Sequence, residues 1–137
     1  MKLTDIGRYM MEEGYYPKYE KTHLLFYIDG NMTLLEYEND ILVMRVFFSI
    51  SEDDFNLFME VSDTVMLNTH TVKALVTHDR KSIMFCCETM CDNRKSLRKF
   101  LPAMISNLKD AMNQHREQMR MQILTHTLYT TASTYVQ

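Results

Sequence analysis

Cys86, Cys87 and Cys91 are the residues best suited to chemistry, because thiolates joined by an imidazole such as His23 or His78 can hold zinc. Cys86 and Cys87 are adjacent in a segment that reads as a strand, so their side chains point to opposite faces and cannot easily share one ion. They read instead as two small hydrophobes, one for each face. Cys91 is expected in an exposed loop, where with Cys87 it offers a minor route to thiol redox sensing. No metal site and no cofactor is expected.

Two further polar groupings invite a catalytic reading and lose it on context. Ser96-Leu97-Arg98-Lys99 matches an S-x-x-K pattern, but the S-D-N and K-T-G segments that this acyl-transfer chemistry needs are absent. The pair reads as a Ser and a Lys on the solvent face of an amphipathic helix. His78-Asp79-Arg80-Lys81 gathers an imidazole, an acid and two bases, yet four polar residues between two strands describe a hairpin turn. No P-loop, G-x-G-x-x-G, nucleophile elbow or H-E-x-x-H occurs. No residue presents itself as the centre of an enzyme.

The elements that position these residues are legible from periodicity. Thr4 and Asp5 cap a first helix that carries Ile6, Tyr9 and Met10 and ends at Gly14. Residues 15–19 read as an extended connector, since Pro17 holds its predecessor out of the helical region. His23–Ile28 is a strand, Asp29-Gly30-Asn31 a hairpin turn, and Met32–Glu38 the return strand. Glu38-Asn39-Asp40 turns the chain into Ile41–Ser49, a β-branched and aromatic run buried on one or both faces. Ser51 to Asp54 then supply a cap and an acidic cluster for a helix from about Glu52 to Leu67. Thr71–Thr77 and Ser82–Thr89 read as two more strands. The last helix opens at Asp92 or Asn93, with Leu97, Phe100, Leu101, Met104, Ile105, Leu108, Ala111 and Met112 at helical spacing. Pro102 lies inside that stripe, so a kink is expected there, or a break with Pro102 starting a new helix. The fold class is α+β in the order α-β-β-β-α-β-β-α, an antiparallel sheet with helices packed on it. Residues 1–121 form a single domain, and 122–137 are a Thr-rich extension, weakly helical or disordered.

At 137 residues and 46% hydrophobic, the chain suffices for one domain with a real core and is short for two. Its apolar runs are too short and too often charged to span a membrane. Residues 1–8 lack a signal-peptide pattern and the three cysteines make a poor disulfide framework, which together read as a reduced, cytoplasmic setting. A net charge of −3 argues against nucleic acid as the default partner. The charge is uneven: residues 1–91 carry a net −7 and residues 92–137 a net +4. The basic last helix either packs beside the acidic body or recruits an acidic partner, and packing is the commoner outcome.

Two features favour interaction over catalysis. Thirteen methionines exceed ordinary usage several-fold, and Met suits both irregular cores and adaptable binding surfaces. On the middle helix, Phe55, Phe58, Met59, Ser62, Val65 and Met66 form a face toward the sheet, while Leu57, Val61 and Leu67 lie off it. That second strip is a candidate interface, unless the helix sits deep enough to bury both.

The chain resembles the type III secretion chaperone-like fold, and in particular the bacterial YbjN-like group. The residues carrying the likeness are Glu13-Gly14-Tyr15-Tyr16-Pro17-Lys18-Tyr19-Glu20, the Phe26-Tyr27-Ile28-Asp29-Gly30 hairpin, Ser51-Glu52-Asp53-Asp54-Phe55 and the Leu97–Met112 stripe, over roughly residues 3 to 118. The resemblance implies a sheet with helices against it, frequent homodimerisation, and binding of a partner polypeptide without catalysis. It brings no catalytic residues to transfer. A small regulatory or sensor domain, answering to a metabolite or to thiol oxidation, is the alternative.

Overall fold

The structure is a computed structural model that describes residues 1–49, 54–68, 71–77 and 81–136, and the side chains of these except 67, 68, 76, 126, 127 and 129–136. The elements are α1 (Leu3–Glu12), β1 (Lys18–Tyr19), β2 (His23–Ile28), β3 (Asn31–Glu38), β4 (Ile41–Ser49), α2 (Phe55–Asn68), β5 (Val72–Val76), β6 (Ser82–Met90) and α3 (Arg94–Val136). Every strand pair is antiparallel, in the order β1-β2-β3-β4-β6-β5. This is the expected order with one addition. The segment read as a connector contributes β1, two residues that pair with Leu24 and Leu25, too short to show a period in the sequence.

Local chemistry explains the boundaries. The N–H of Lys2 donates to Asp5 Oδ2 at 2.8 Å, so Asp5 caps α1 from inside its first turn. Gly14, at φ +90°, closes the helix: its N–H donates to the Met11 carbonyl and that of Tyr15 to the Met10 carbonyl. Asp29-Gly30 and Asn39-Asp40 each place two consecutive residues at positive φ, the two-residue turn whose twist matches antiparallel strands. The Asn93 side chain caps α3 by accepting the Ser96 N–H at 2.8 Å. The cap expected at Ser51 and the turn at His78–Arg80 lie outside the described residues.

α3 runs unbroken through Pro102, so the expected restart there does not occur. A proline inside a helix costs about 3 kcal/mol. Leu97, Leu101, Met104 and Ile105 are buried on both sides of it, and their burial, at roughly 1.5–3 kcal/mol for each large side chain, outweighs that cost. α3 stays helical to Val136, and its side chains are exposed from Arg120 onward as far as they are described. No helix among the described residues is long and apolar enough to cross a membrane.

The core lies between one face of the sheet and a single layer of helices. Across the strands, register aligns Phe26, Thr33, Val46, Phe85 and Ala74 in one row, and Leu24, Leu35, Met44, Cys87 and Val72 in the next. α1 covers them with Ile6 and Met10, α2 with Val61 and Val65, and α3 with Leu97 to Met112. Two ion pairs tie the basic α3 to the acidic body, Arg94 to Asp5 at 3.2 Å and Lys109 to Asp29 at 3.9 Å. Both are exposed and worth little singly.

Three polar side chains among the described residues are buried here, Thr33, Ser62 and His115, and the histidine is the one with a charge to lose. His115 is 5% exposed, packed on Phe58 and Phe85 and 3.1 Å from Ser62 Oγ. Burial holds its imidazole below the ordinary histidine range, with the Phe58 carbonyl opposing in part. The unfolded chain therefore binds a proton near pH 6.5 that the folded chain refuses. Stability is complete above that pH and falls as the pH drops below it, by at most about 1.4 kcal/mol per pH unit, until the folded imidazole also protonates. The melting temperature is expected to be lower at pH 5.5 than at pH 7.5, with the slope flattened in His115→Gln. An unchanged slope in that variant would assign the pH dependence to other groups.

Candidate functional site: the open face of the sheet

The second face of the sheet carries no helix among the described residues, and it is built largely of apolar side chains. Alternation along a strand sends neighbours to opposite faces, so each strand that buries one set of apolar residues presents the other set here. Leu25 pairs with Leu34 and Tyr27 with Met32, while Phe47, Met84 and Leu75 form a row across β4, β6 and β5. Tyr27 is 67% exposed, and Met32 and Leu75 are each 48% exposed. At one end of this face Ile41 pairs with Met90, and both are exposed. Five strands about 4.8 Å apart and roughly 20–25 Å long give a projected face on the order of 500 Å². Arg45 and Lys73 take part of that area in one cross-strand row and Glu36 and Glu88 in the next, and the apolar remainder is the candidate interaction surface.

Four of the five charges that β2 to β6 place on this face are paired with one another, and Glu38, opposite Ile41, is the fifth. Arg45 bonds Glu36, and Lys73 lies 3.9 Å from Glu88. Cys86 sits in register between Arg45 and Lys73. The face is therefore close to neutral as well as apolar, unlike the solvated face of an ordinary two-layer domain.

The cysteines divide as the alternation demands. Cys87 points into the core and Cys86 to the open face. The placement of Cys91 corrects the expected exposed loop. It is 0% exposed, its N–H donates to the Asp40 carbonyl at 2.7 Å, and its own carbonyl accepts the Tyr37 hydroxyl at 2.6 Å. The same burial, with Asp40 beside it, pushes the Tyr37 phenol up to about 12. Desolvation raises all three thiols, and at Cys86 it outweighs the nearby Arg45 guanidinium. A thiol-specific disulfide reagent at pH 8 is expected to find less than one fast-reacting thiol in the native protein and all three after denaturation in guanidinium. One full equivalent of fast reaction in the native state would contradict this burial. Among the described residues no group of three His, Cys, Asp or Glu side chains comes together as a metal site.

The α2 strip is placed as follows. Val61 is 3% exposed and belongs to the core, Leu57 is half-buried against it, and the side chain of Leu67 lies outside the described residues. Ser96 and Lys99 both sit on the first turns of α3, Ser96 half-buried with its N–H in the Asn93 cap, and Lys99 exposed 5.5 Å above the Phe100 ring. His23 stands at the start of β2, remote in sequence and in strand order from Cys87. Sequence reasoning missed the open face itself. The signal was present, since β2, β3 and β4 are apolar at both odd and even positions.

Sheet, helix layer and bare apolar face together define a two-layer α+β domain. No protein-family model and no curated protein matches the chain. Solved structures do. One is YbjN from E. coli, a proposed transcription regulator, with a TM-score of 0.65 and 10% identity over 95% of this chain and 94% of that one. Another is an uncharacterized protein from Methanothermobacter thermautotrophicus, with a TM-score of 0.63 and 17% identity over 89% of this chain and 99% of that one. The chain thus has a YbjN-like fold, as the sequence resemblance implied. Neither neighbour is described as an enzyme.

Proposed function

We propose that this protein is a non-enzymatic, chaperone-like interaction domain that holds a segment of a partner polypeptide on the open face of its sheet. The observation that carries the reading is the apolar, charge-paired face formed by Leu25, Leu34, Tyr27, Met32, Met84 and Leu75. An extended or helical segment with two or three apolar anchors fits such a surface, and the flexible Met32 and Met84 adapt to more than one shape of side chain. A reduced compartment such as the cytoplasm fits the three unpaired thiols. The description of YbjN as a proposed transcription regulator names a role that protein–protein contact can serve.

The test is purification of the tagged chain from its own cells, followed by native mass spectrometry. A stoichiometric polypeptide that is lost when Met32 and Leu75 are both changed to Glu supports the reading. A polypeptide retained by that variant, or none at all, removes it.

For self-association we propose α2, with Leu57 and Leu67 making the contact and Val61 supporting them from the core. Leu57 is half-buried in the single chain and has area left to cover. Leu57→Glu is expected to give a monomer by analytical ultracentrifugation with the circular dichroism of a folded chain, and a monomeric parent protein would overturn the assignment.

A further inference from the structure

We propose that the cavity between α2, α3 and the end of the sheet is a binding site for a planar aromatic carboxylate that also carries a ring hydroxyl or N–H. This cavity lies on the helix side of the sheet, away from the open face, opens broadly to solvent and has a volume of about 320 Å³. That is the lower end of the range for small-molecule sites.

Its walls select flat, apolar matter. Phe48 meets Phe85 edge to face with centroids 5.4 Å apart, and Phe58 lies 4.1 Å from the His115 ring. Such a cluster offers both ring faces and ring edges to an incoming aromatic system. Met112 and Met119 complete the wall with polarizable sulfurs that pack against rings. Met112 is held in place by the Asn31 amide, which donates to its sulfur at 3.5 Å and to the Ile28 carbonyl at 3.3 Å.

Two polar groups give the cavity direction. The Ser62 hydroxyl donates to the Phe58 carbonyl at 2.8 Å, and its oxygen lies 3.1 Å from His115 Nε2. With the proton on Nε2, a neutral imidazole presents Nδ1 as an acceptor. The Phe58 carbonyl also acts on this ring, and no buried side-chain nitrogen or oxygen among the described residues lacks a partner. The imidazole of His115 forms part of the wall of this cavity. One turn-face along, Arg116 stands at the solvent edge. Its Nη1 donates to Asn113 Oδ1 at a long 3.5 Å, and no carboxylate among the described residues pairs with it. A guanidinium at the mouth of an apolar cavity selects a carboxylate, and an acceptor deep inside selects a hydroxyl or N–H at the far end of the same molecule.

The probe is 6-hydroxy-2-naphthoate, titrated into protein labelled at the methionine methyl groups with carbon-13 and followed by NMR. Saturable shifts are expected at Met112 and Met119, with Met32, Met84 and Met90 of the open face unmoved. Arg116→Gln, a change at an exposed position, should weaken binding about tenfold or more while leaving the affinity for the neutral 6-hydroxy-2-naphthamide unchanged. Absence of saturable shifts at millimolar probe overturns the site. So do shifts confined to Met32, Met84 and Met90, and so does an Arg116→Gln protein that binds the carboxylate as well as the parent. None of these outcomes bears on partner binding at the open face, which has its own variants.

Discussion

Phe85→Ala is expected to lower the melting temperature by roughly 10–20 °C. Phe85 is 0% exposed at the centre of β6, in register between Val46 and Ala74. Its ring contacts Phe48 and His115 on the helix side. Truncation of a buried phenylalanine costs about 3–5 kcal/mol, from lost transfer energy and from the void that remains. The void here cannot close easily, because antiparallel neighbours fix the strand on both sides. Because the lost ring also lines the cavity beside His115, the variant should keep its secondary structure while losing near-UV dichroism. Thermal unfolding by far-UV circular dichroism reads the effect, and a drop below about 5 °C would place Phe85 at a plastic edge of the core.

The second large effect concerns binding, not stability. Met32→Glu together with Leu75→Glu is expected to weaken the partner complex by on the order of 100-fold or more, since each carboxylate buried without a partner costs about 1–3 kcal/mol. Both positions are about half exposed in the free chain, so its own stability should change by no more than about 0.5 kcal/mol per site. The split between these two readouts is the informative part. A variant that binds normally would show that the open face is not where the partner sits, and a variant that unfolds would show that the face supports the fold itself. Titration calorimetry against the recovered partner, beside a thermal melt of each protein alone, separates the three outcomes.

Much of the architecture was legible because single residues carried it. Asp29-Gly30 and Asn39-Asp40 announce their turns through the positive φ they must adopt, and the stripe from Leu97 to Met112 announces α3. What stayed hidden has physical reasons. β1 is two residues long and exists only because β2 offers it an edge. Along Ile41–Ser49 both faces are apolar, so periodicity cannot tell a strand buried twice from one with a bare side, and the open face emerged only with the helix layer in view. On α2 the two apparent stripes are neighbours on one broad surface, and Val61 sits where they meet, inside the core. His115 was hidden among the polar residues Asn113, Gln114, Arg116 and Glu117. Its spacing from Leu108, Met112 and Met119 continues the buried stripe, and that continuity was the available signal.

The sheet order has a consequence for how this chain is made. β4 pairs with β6, yet α2 and β5 lie between them in the sequence. A ribosome adds roughly 5–20 residues per second, so the roughly forty residues from Ser49 to Met90 keep β4 without its partner for several seconds. Throughout that interval the newborn meander shows solvent an unpaired strand edge flanked by two apolar faces, because the last helix, which covers part of one of them, has not yet been synthesised. Such an edge is a template for a neighbouring nascent chain. The pace of translation between α2 and β6 therefore sets how long that edge stays open to a neighbour.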